Sequence, residues 1–233
     1  MKLFINTGGE GKRLYPLTKD IPKPMIEIMG KPIIYYLVEW GKNYSVEEIV
    51  MMNGYKAEKI IDYFKDGKEF GIKITHSNEP KPLDSGGAIK FAGKHINGAF
   101  AYISGDHICD VNLDKMINYH KKNNADLTVF THETDHPQDS DILQIDKTKR
   151  VIKFISKHDN HDNAGNLANS GLCILEQKIL ELADKEIFNF ENYLFPKILE
   201  NKMRIMTYST NEFIADMGTL DRLRKCEDYL RSK

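Results

Sequence analysis

Between Asn6 and Met25 the chain reads NTGGEGKRLYPLTKDIPKPM. Gly8, Gly9 and Gly11 carry no Cβ, so the backbone there can turn sharply and aim several N–H groups at one anion. Glu10 and Lys12 lie in the same loop. Arg13 follows with a planar fork suited to phosphate oxygens, and Lys23 offers a compact ammonium between Pro22 and Pro24. The two prolines restrict the backbone and predict that Lys23 is held in an extended segment. A stiffly mounted lysine suits a fixed target, and the set as a whole suits a polyphosphate. Two familiar phosphate loops do not match. The P-loop needs glycine where Asn6 stands and Ser or Thr where Arg13 stands; the dinucleotide fingerprint needs a third glycine where Leu14 stands.

Other residues could contribute chemistry from a distance. Asp106 and Asp216 each follow a strand-like run, and each taken alone reads as a turn or cap residue. Asn53 ends a strand before Gly54, where it could contact a base or close a turn. Glu191 opens a helical stretch, where the dipole favours a carboxylate. Asp110 is expected to organise the turn before Asn112. The run HDNHDN, His158 to Asn163, has no ordered ligand spacing and reads as a solvated turn. His132 and His136 read as surface residues. Tyr35, Tyr36 and Trp40 sit at helical spacing and read as core packing.

These groups need elements to position them. KLFIN is a short apolar run stopped by glycines, hence a buried strand. A proline-led helix over 32–44, a strand over 47–54, a helix over 56–67, a strand over 71–79, a helix over 85–96 and a strand over 99–106 follow. A helix over 112–125, capped by Asn112, and a strand over 126–133 complete the alternation, which predicts a parallel α/β sheet. In such a sheet ligands bind beyond the carboxyl ends of the strands, where the Gly8–Gly11 loop must lie. The pattern then changes. Residues 142–157 read as strand, turn, strand; 167–175 as a strand, 176–183 as a helix and 190–201 as a helix that restarts at Pro196. A strand over 204–210 and a helix capped by Thr219 end the chain. One domain over residues 1–233 is expected, its antiparallel half inserted over a site built on the parallel half.

The composition sets limits. Thirty-three Lys and Arg against 34 Asp and Glu leave a formal charge of −1, which argues against bulk attraction to nucleic acid or an anionic membrane, so any phosphate attraction is local. No apolar run approaches a membrane span, and the N-terminus lacks a signal-peptide pattern. Three scattered cysteines make neither a disulfide framework nor a zinc pattern, and a reducing cytoplasm is the simplest compartment.

The stretch GGEGKRLYPLTKDIPKPM closely resembles the signature of sugar-1-phosphate nucleotidyltransferases, G-G-x-G-x-R-L-x-P-L-T followed by P-K-P and Met or Leu. Lys12 departs from it, standing where Thr or Ser is usual. The resemblance runs on. NEPKPLDSGGAIKFA is similar to the second glycine segment, with Asp84 and Ser85 replacing Gly-Thr. YISGDHICDVNL is similar to the strand ending in a magnesium aspartate. VIKFISKHD is similar to F-x-E-K-P, with Lys157 kept but Ser156 and His158 replacing Glu and Pro. ANSGLCIL, FENYLFPKIL and FIADMGTLDRL match later family segments. The resemblance implies a Rossmann-like, mostly parallel sheet flanked by helices with a smaller antiparallel sugar-binding part. It implies no appended β-helical or acyltransferase domain in a chain of this length.

It also implies roles. Gly8, Gly9, Glu10, Gly11 and Lys12 would cradle the triphosphate, Asn53, Gly86 and Gly87 would approach the nucleoside, and Arg13 and Lys23 would be catalytic. Asp106 and Asp216 would hold Mg2+. Lys157, Asn169, Gly171 and Glu191 would meet the sugar phosphate. The implied reactants are a nucleoside triphosphate and a sugar 1-phosphate, with pyrophosphate as co-product and a surface-polysaccharide precursor as the nucleotide sugar. No nucleic-acid or membrane partner is implied, and similar enzymes often associate as homo-oligomers. The Gly-Gly start and SGGAIK resemble the short guanylyltransferases for mannose or D-glycero-D-manno-heptose 1-phosphate, hence GTP. Uridylyl- or cytidylyltransferases acting on N-acetylmuramate 1-phosphate, glucose 1-phosphate or phosphocholine are the alternatives of the same fold. A non-catalytic sugar-nucleotide sensor is a further one, disfavoured because Arg13, Lys23, Asp106 and Asp216 all stand. A dehydrogenase is disfavoured by Leu14.

Overall fold

A computed structural model describes all residues, Met1–Lys233. In chain order the elements are β1 (Lys2–Asn6), β2 (Glu27–Ile28), β3 (Lys31–Pro32), α1 (Ile33–Lys42), β4 (Glu48–Asn53), α2 (Ala57–Phe64), β5 (Lys73–Asn78), α3 (Asp84–Phe91) and β6 (Phe100–Ser104). They continue with β7 (His107–Cys109), α4 (Leu113–Lys122), β8 (Leu127–Glu133), β9 (Ile142–Ile145), β10 (Val151–Ile155), β11 (Leu167–Leu175), α5 (Phe195–Glu200), β12 (Ile205–Tyr208), β13 (Ile214–Asp216) and α6 (Leu220–Arg231). The fold is a mixed sheet with a parallel core flanked by helices, plus small antiparallel sheets. No helix is long and apolar enough to cross a membrane.

The chain groups into two compact units, one of residues 1–82, 103–112 and 212–233, the other of 83–102 and 113–211. In the first unit β1, β4 and β5 run parallel, Phe4 opposite Val50 and Val50 opposite Thr75. Every residue of β4 is buried, as expected of a central parallel strand covered on both faces. Ile33, Ile34 and Leu37 of α1 are fully buried, and Trp40 anchors the helix by donating its Nε1–H to Val111 O at 2.8 Å. The expected core role of Trp40 stands, while Tyr35 and Tyr36 are half-buried.

In the second unit β8, β11, β9 and β10 pair antiparallel, and β12 joins β8 in parallel. The β9–β10 hairpin is the expected one. By contrast, the preceding helix groups β8 with the parallel strands, yet only a short 3-10 turn, Pro137–Asp139, separates it from β9, and it pairs antiparallel with β11. The expected helix over 176–183 is a short 3-10 segment, Gln177–Leu182. The restart at Pro196 is real: a wide turn, Phe190–Leu194, precedes α5, and Pro196 sits in its first turn, where a missing N–H costs no hydrogen bond. Thr219 caps α6, its Oγ1 accepting from Arg222 N at 3.3 Å.

Candidate active site

Beyond β1 the chain leaves the sheet at Thr7 and forms the glycine loop. Gly11 has φ +66°, and a Cβ there would stand 2.9 Å from Lys23 Cβ, so only glycine lets the loop close on the lysine. Thr18 Oγ1 donates to Gly11 O at 2.9 Å and fixes that turn. Glu10 and Lys12 pair with each other at 2.8 Å on the exposed side of the loop. Pro22 is extended as expected (φ −69°, ψ 149°). Lys23, however, opens a 3-10 turn over Lys23–Met25 and is not itself extended, because Met25 N and Ile26 N bond back to Pro22 O and Lys23 O at 2.8 and 3.1 Å.

From that turn Lys23 reaches Asp106, and its Nζ pairs with Oδ2. Asp106 is presented just before β7, a three-residue strand that sequence patterning missed. β7 exists only by pairing with β13, with Asp216 opposite His107. Met217 N donates to Asp106 O at 2.9 Å. Two aspartates far apart in sequence thus meet on neighbouring strands of one small sheet. Gly218 N donates to Asp216 Oδ1 at 2.7 Å, and a Cβ on Gly218 would stand 3.4 Å from Arg13 Nη2. Within the first unit, contacts therefore run from the loop to Lys23, Asp106, Asp216, Gly218 and back to Arg13, which directly follows the loop. Arg13 is exposed and makes no hydrogen bond or ion pair, leaving its whole fork available to an anion.

The electrostatics follow from this packing. Burial pushes the Asp106 carboxyl up, but His107 and Lys23 overcome it and hold the group well below the usual carboxylate range. His107 Nδ1 lies 3.0 Å from Asp106 Oδ1 without hydrogen-bond geometry, so that oxygen is buried with no hydrogen-bond partner. A buried acceptor left unsatisfied is costly unless something else fills the position. Burial also raises Asp216, and His107 and Arg222 bring it below its ordinary value. Two carboxylates on paired strands, one with an unspent oxygen, fit a hard divalent cation that takes oxygen ligands and completes its shell with water and phosphate.

The second unit gathers the other predicted group. Asp141 is its hub and was not foreseen: Oδ1 accepts from Lys157 N and its carbonyl from Asn169 N, at 2.9 and 3.0 Å. Asn169 Oδ1 accepts from Gly171 N at 3.0 Å, shaping an irregularity in β11 where Gly171 has φ +74°. Burial lifts the Glu191 carboxyl to about 7, Asp141 and Asp84 adding to the rise and Lys157 opposing it. Ser85 Oγ lies 3.5 Å from Glu191 Oε2. Ser156, where Glu is usual in the family segment, donates to Asn192 Oδ1 at 2.9 Å.

Three residues expected at the nucleoside make bonds within the protein. Asn53 is 1% exposed. Its Oδ1 accepts from Thr7 Oγ1 at 2.7 Å, and its Nδ2 lies 3.0 Å from both His76 Nδ1 and Asn78 Oδ1. Its amide is spent tying β1, β4 and β5 together and has nothing left for a base. Gly86 and Gly87 are buried in α3, their N–H groups donating to Phe188 O at 2.9 and 3.1 Å. A Cβ at either would collide with Phe188 or Glu186 O, at 2.3 and 2.4 Å, so these glycines admit the chain's own segment. Glu79 is the polar side chain at the loop that patterning missed: its Oε1 lies so close to Gly54 and Gly8 that a Cβ would meet it at 2.4 and 3.1 Å. Asp110 does not organise the next turn alone; it accepts from Tyr229 and Lys233, each at 2.7 Å, tying α6 to β7. The HDNHDN run is a largely exposed turn, with Asn160 Nδ2 donating to Asp162 Oδ2 at 3.0 Å and His161 Nε2 2.8 Å from Ser156 O.

The nucleotidyl transferase family model matches residues 3–233. Mannose-1-phosphate guanyltransferase 2 of Candida glabrata is 31% identical over 224 residues, covering 94% of this chain and 61% of the relative. The chain thus spans about three fifths of the length of the guanyltransferases it matches. The crystal structure of HddC from Yersinia pseudotuberculosis, also solved complexed with GMP-PN, superposes with a TM-score of 0.84 at 31% identity, covering 98% of this chain and 99% of that one. A putative glucose-1-phosphate thymidylyltransferase from Bacillus anthracis, at 20% identity and TM-score 0.89, shares the fold, covering 100% and 96%. With the signature residues assembled on one unit and a family match over nearly its whole length, the chain belongs to the nucleotidyl transferase family.

Proposed function

We propose that this protein is a sugar-1-phosphate guanylyltransferase. A phosphate oxygen of the sugar 1-phosphate attacks the α-phosphorus of GTP. The bond from that phosphorus to the oxygen bridging the β-phosphorus breaks, and pyrophosphate leaves with the bonding pair. The nucleophile is already anionic, so positioning and charge stabilisation replace a strong general base. The ring of contacts that brings Arg13, Lys23, Asp106 and Asp216 together carries the assignment. The N–H groups of the Gly8–Gly11 loop hold the triphosphate. Arg13, with no partner of its own, meets the charge that builds on the leaving pyrophosphate. Lys23 exchanges Asp106 for the α-phosphate. Asp106 and Asp216 hold Mg2+, which supplies charge neutralisation and alignment when bound. Lys157 and Glu191 meet the sugar phosphate and the sugar.

We favour guanine and assign its recognition to Glu79, whose Oε1 lies beside Gly8 and Gly54. An ionised carboxylate only accepts hydrogen bonds. Guanine offers adjacent N1–H and N2–H donors, whereas adenine and cytosine set a ring-nitrogen acceptor against the carboxylate and uracil offers one donor. The guanylyltransferase names among the relatives and the GMP-PN complex of HddC support the same base. Mannose or D-glycero-D-manno-heptose 1-phosphate is the proposed acceptor, and the cytoplasm the proposed compartment. A grid of four nucleoside triphosphates against mannose, heptose and glucose 1-phosphates, read by pyrophosphate release with Mg2+, tests this. GTP with a manno-configured sugar should give the highest kcat/KM; no pyrophosphate in any cell refutes catalysis, and a UTP or CTP maximum refutes the base.

A further inference from the structure

The two aspartates are held unequally. Asp106 is paired with Lys23 in surroundings that leave the two side chains 19% and 11% exposed. Asp216 is met instead by Arg222, in the first turn of α6, whose Nη1 lies 2.7 Å from Oδ2 and 3.0 Å from Oδ1. Here the side chains are 46% and 32% exposed. A single guanidinium nitrogen spanning both oxygens at a wet surface is a weak and readily exchanged contact. It nevertheless occupies the oxygens a cation would use. The backbone around it is fixed: Arg222 N donates to the Thr219 cap, and Tyr229 and Lys233 hold the far end of the helix to Asp110. Only the side chain is free to change partners. Gly218, which donates to Asp216, is also the residue against which Arg13 lies. A released Arg222 fork would therefore stand beside the group assigned to pyrophosphate, with geometry matched to phosphate oxygens.

We propose that Arg222 is a positioning residue that competes with the divalent cation for Asp216 and passes to the polyphosphate once the cation takes that carboxylate. This rests on the guanylyltransferase reading. The exchange keeps Asp216 paired before the cation arrives, and it ties Arg222's release to that arrival.

The test is calorimetric binding of Mn2+, and then of pyrophosphate in the presence of Mn2+, to the nucleotide-free full chain. Wild type, Arg222→Ala, Arg222→Lys and the control Arg224→Ala are compared. Arg224 lies on the same helix and pairs only with Asp221, at 3.6 Å, so its loss removes the same charge without touching Asp216. Arg222→Ala should bind Mn2+ about two- to fivefold more tightly, the factor an exposed ion pair commands, and pyrophosphate more weakly by a similar factor. Arg222→Lys should lie between, and Arg224→Ala should match wild type. A purely structural role would not move the two affinities in opposite senses. Unchanged or weaker Mn2+ binding in Arg222→Ala, unchanged pyrophosphate binding, or an equal response from Arg224→Ala overturns the exchange. A wild type that binds neither probe overturns the guanylyltransferase reading, and the exchange with it; a wild type that binds both alike with Arg222→Ala overturns the exchange alone.

Discussion

Replacing Glu191 by Gln should stabilise the protein once pH rises above about 4.5, with the full effect above 7. The carboxyl rises from 4.5 to about 7 because folding buries it, with Asp141 and Asp84 nearby and Lys157 opposing only in part. Its folded value lies above its unfolded one, so the folded chain keeps a proton that the unfolded chain releases. The stabilising contribution is complete below about pH 4.5 and is lost as pH rises through 7. At about 1.4 kcal/mol per pH unit, the full cost of the charge at pH 8 would be about 3 kcal/mol. Glu191 keeps some solvent contact, which screens that charge, and about half, near 1.5 kcal/mol, is the better figure. Gln matches the shape and can still take the Ser85 contact, but carries no charge at any pH.

Thermal unfolding of both proteins at pH 4, 6 and 8 reads the effect directly. For a chain of this size, about 1.5 kcal/mol corresponds to roughly 3–6 °C in Tm. The variant should melt higher by that much at pH 8, by less at pH 6, and with wild type at pH 4. Every other titrating group is common to both, so the difference isolates position 191. A gap that does not change with pH, or a wild type that is the more stable at pH 8, would refute the burial argument. If Glu191 meets the sugar as proposed, the protonated group would donate to a hydroxyl and the ionised one would only accept.

Arg13→Ala should lower turnover about 100- to 1000-fold, as loss of a donor to developing charge does, while stability stays within about 0.5 kcal/mol because the side chain has no partner to lose; steady-state pyrophosphate release beside a melting curve checks both. Gly11→Ala should cost about 1–2 kcal/mol from its left-handed backbone alone, and activity further because the new Cβ presses on Lys23; urea unfolding and kcat decide it, and a fully active, equally stable variant would contradict the packing. Glu79→Gln should erode the GTP preference about tenfold or more by kcat/KM ratio against UTP, since one acceptor becomes a donor facing guanine's donors.

What could be read from the sequence divides along a physical line. That Arg13, Lys23, Asp106 and Asp216 come together was legible because their types and register belong to one family signature, whatever the rotamers. Asn53 was misread because its partners, Thr7, His76 and Asn78, come from the neighbouring segments and strands, and nothing local says that an amide at a strand end is already satisfied three ways. Gly86 and Gly87 were misread for a longer-range reason. Their missing Cβ atoms serve Phe188 and Glu186, about a hundred positions later. Asp141 sits in no motif and Arg222 at a variable position of the FIADMGTLDRL segment, and only the folded arrangement reveals that one gathers Lys157 and Asn169 and the other meets Asp216. The parallel strands β1 and β4 were plain from their apolar runs, and β5 from its place in the alternation. β7 was not, because three residues make a strand only when β13 arrives to pair with them.

That late pairing explains why Asp106 and Asp216 can be so distant in sequence without loss of precision. Each is fixed by backbone hydrogen bonds of the other's neighbourhood: Met217 N bonds to Asp106 O, and Asp216 faces His107 across the ladder. Neither carboxylate therefore depends on a long flexible side chain for its place. The flexible partners are the cations, Lys23, Arg222 and the unpaired Arg13. In the free protein two of the three neutralise carboxylates that burial would otherwise penalise. Were a cation to take those carboxylates in the proposed reaction, the same lysine and arginine would be left needing anions, which a triphosphate would supply. Binding would then proceed by exchange of partners rather than by uncovering charge, so the chain would not carry an unpaired buried carboxylate while it waits for its substrate.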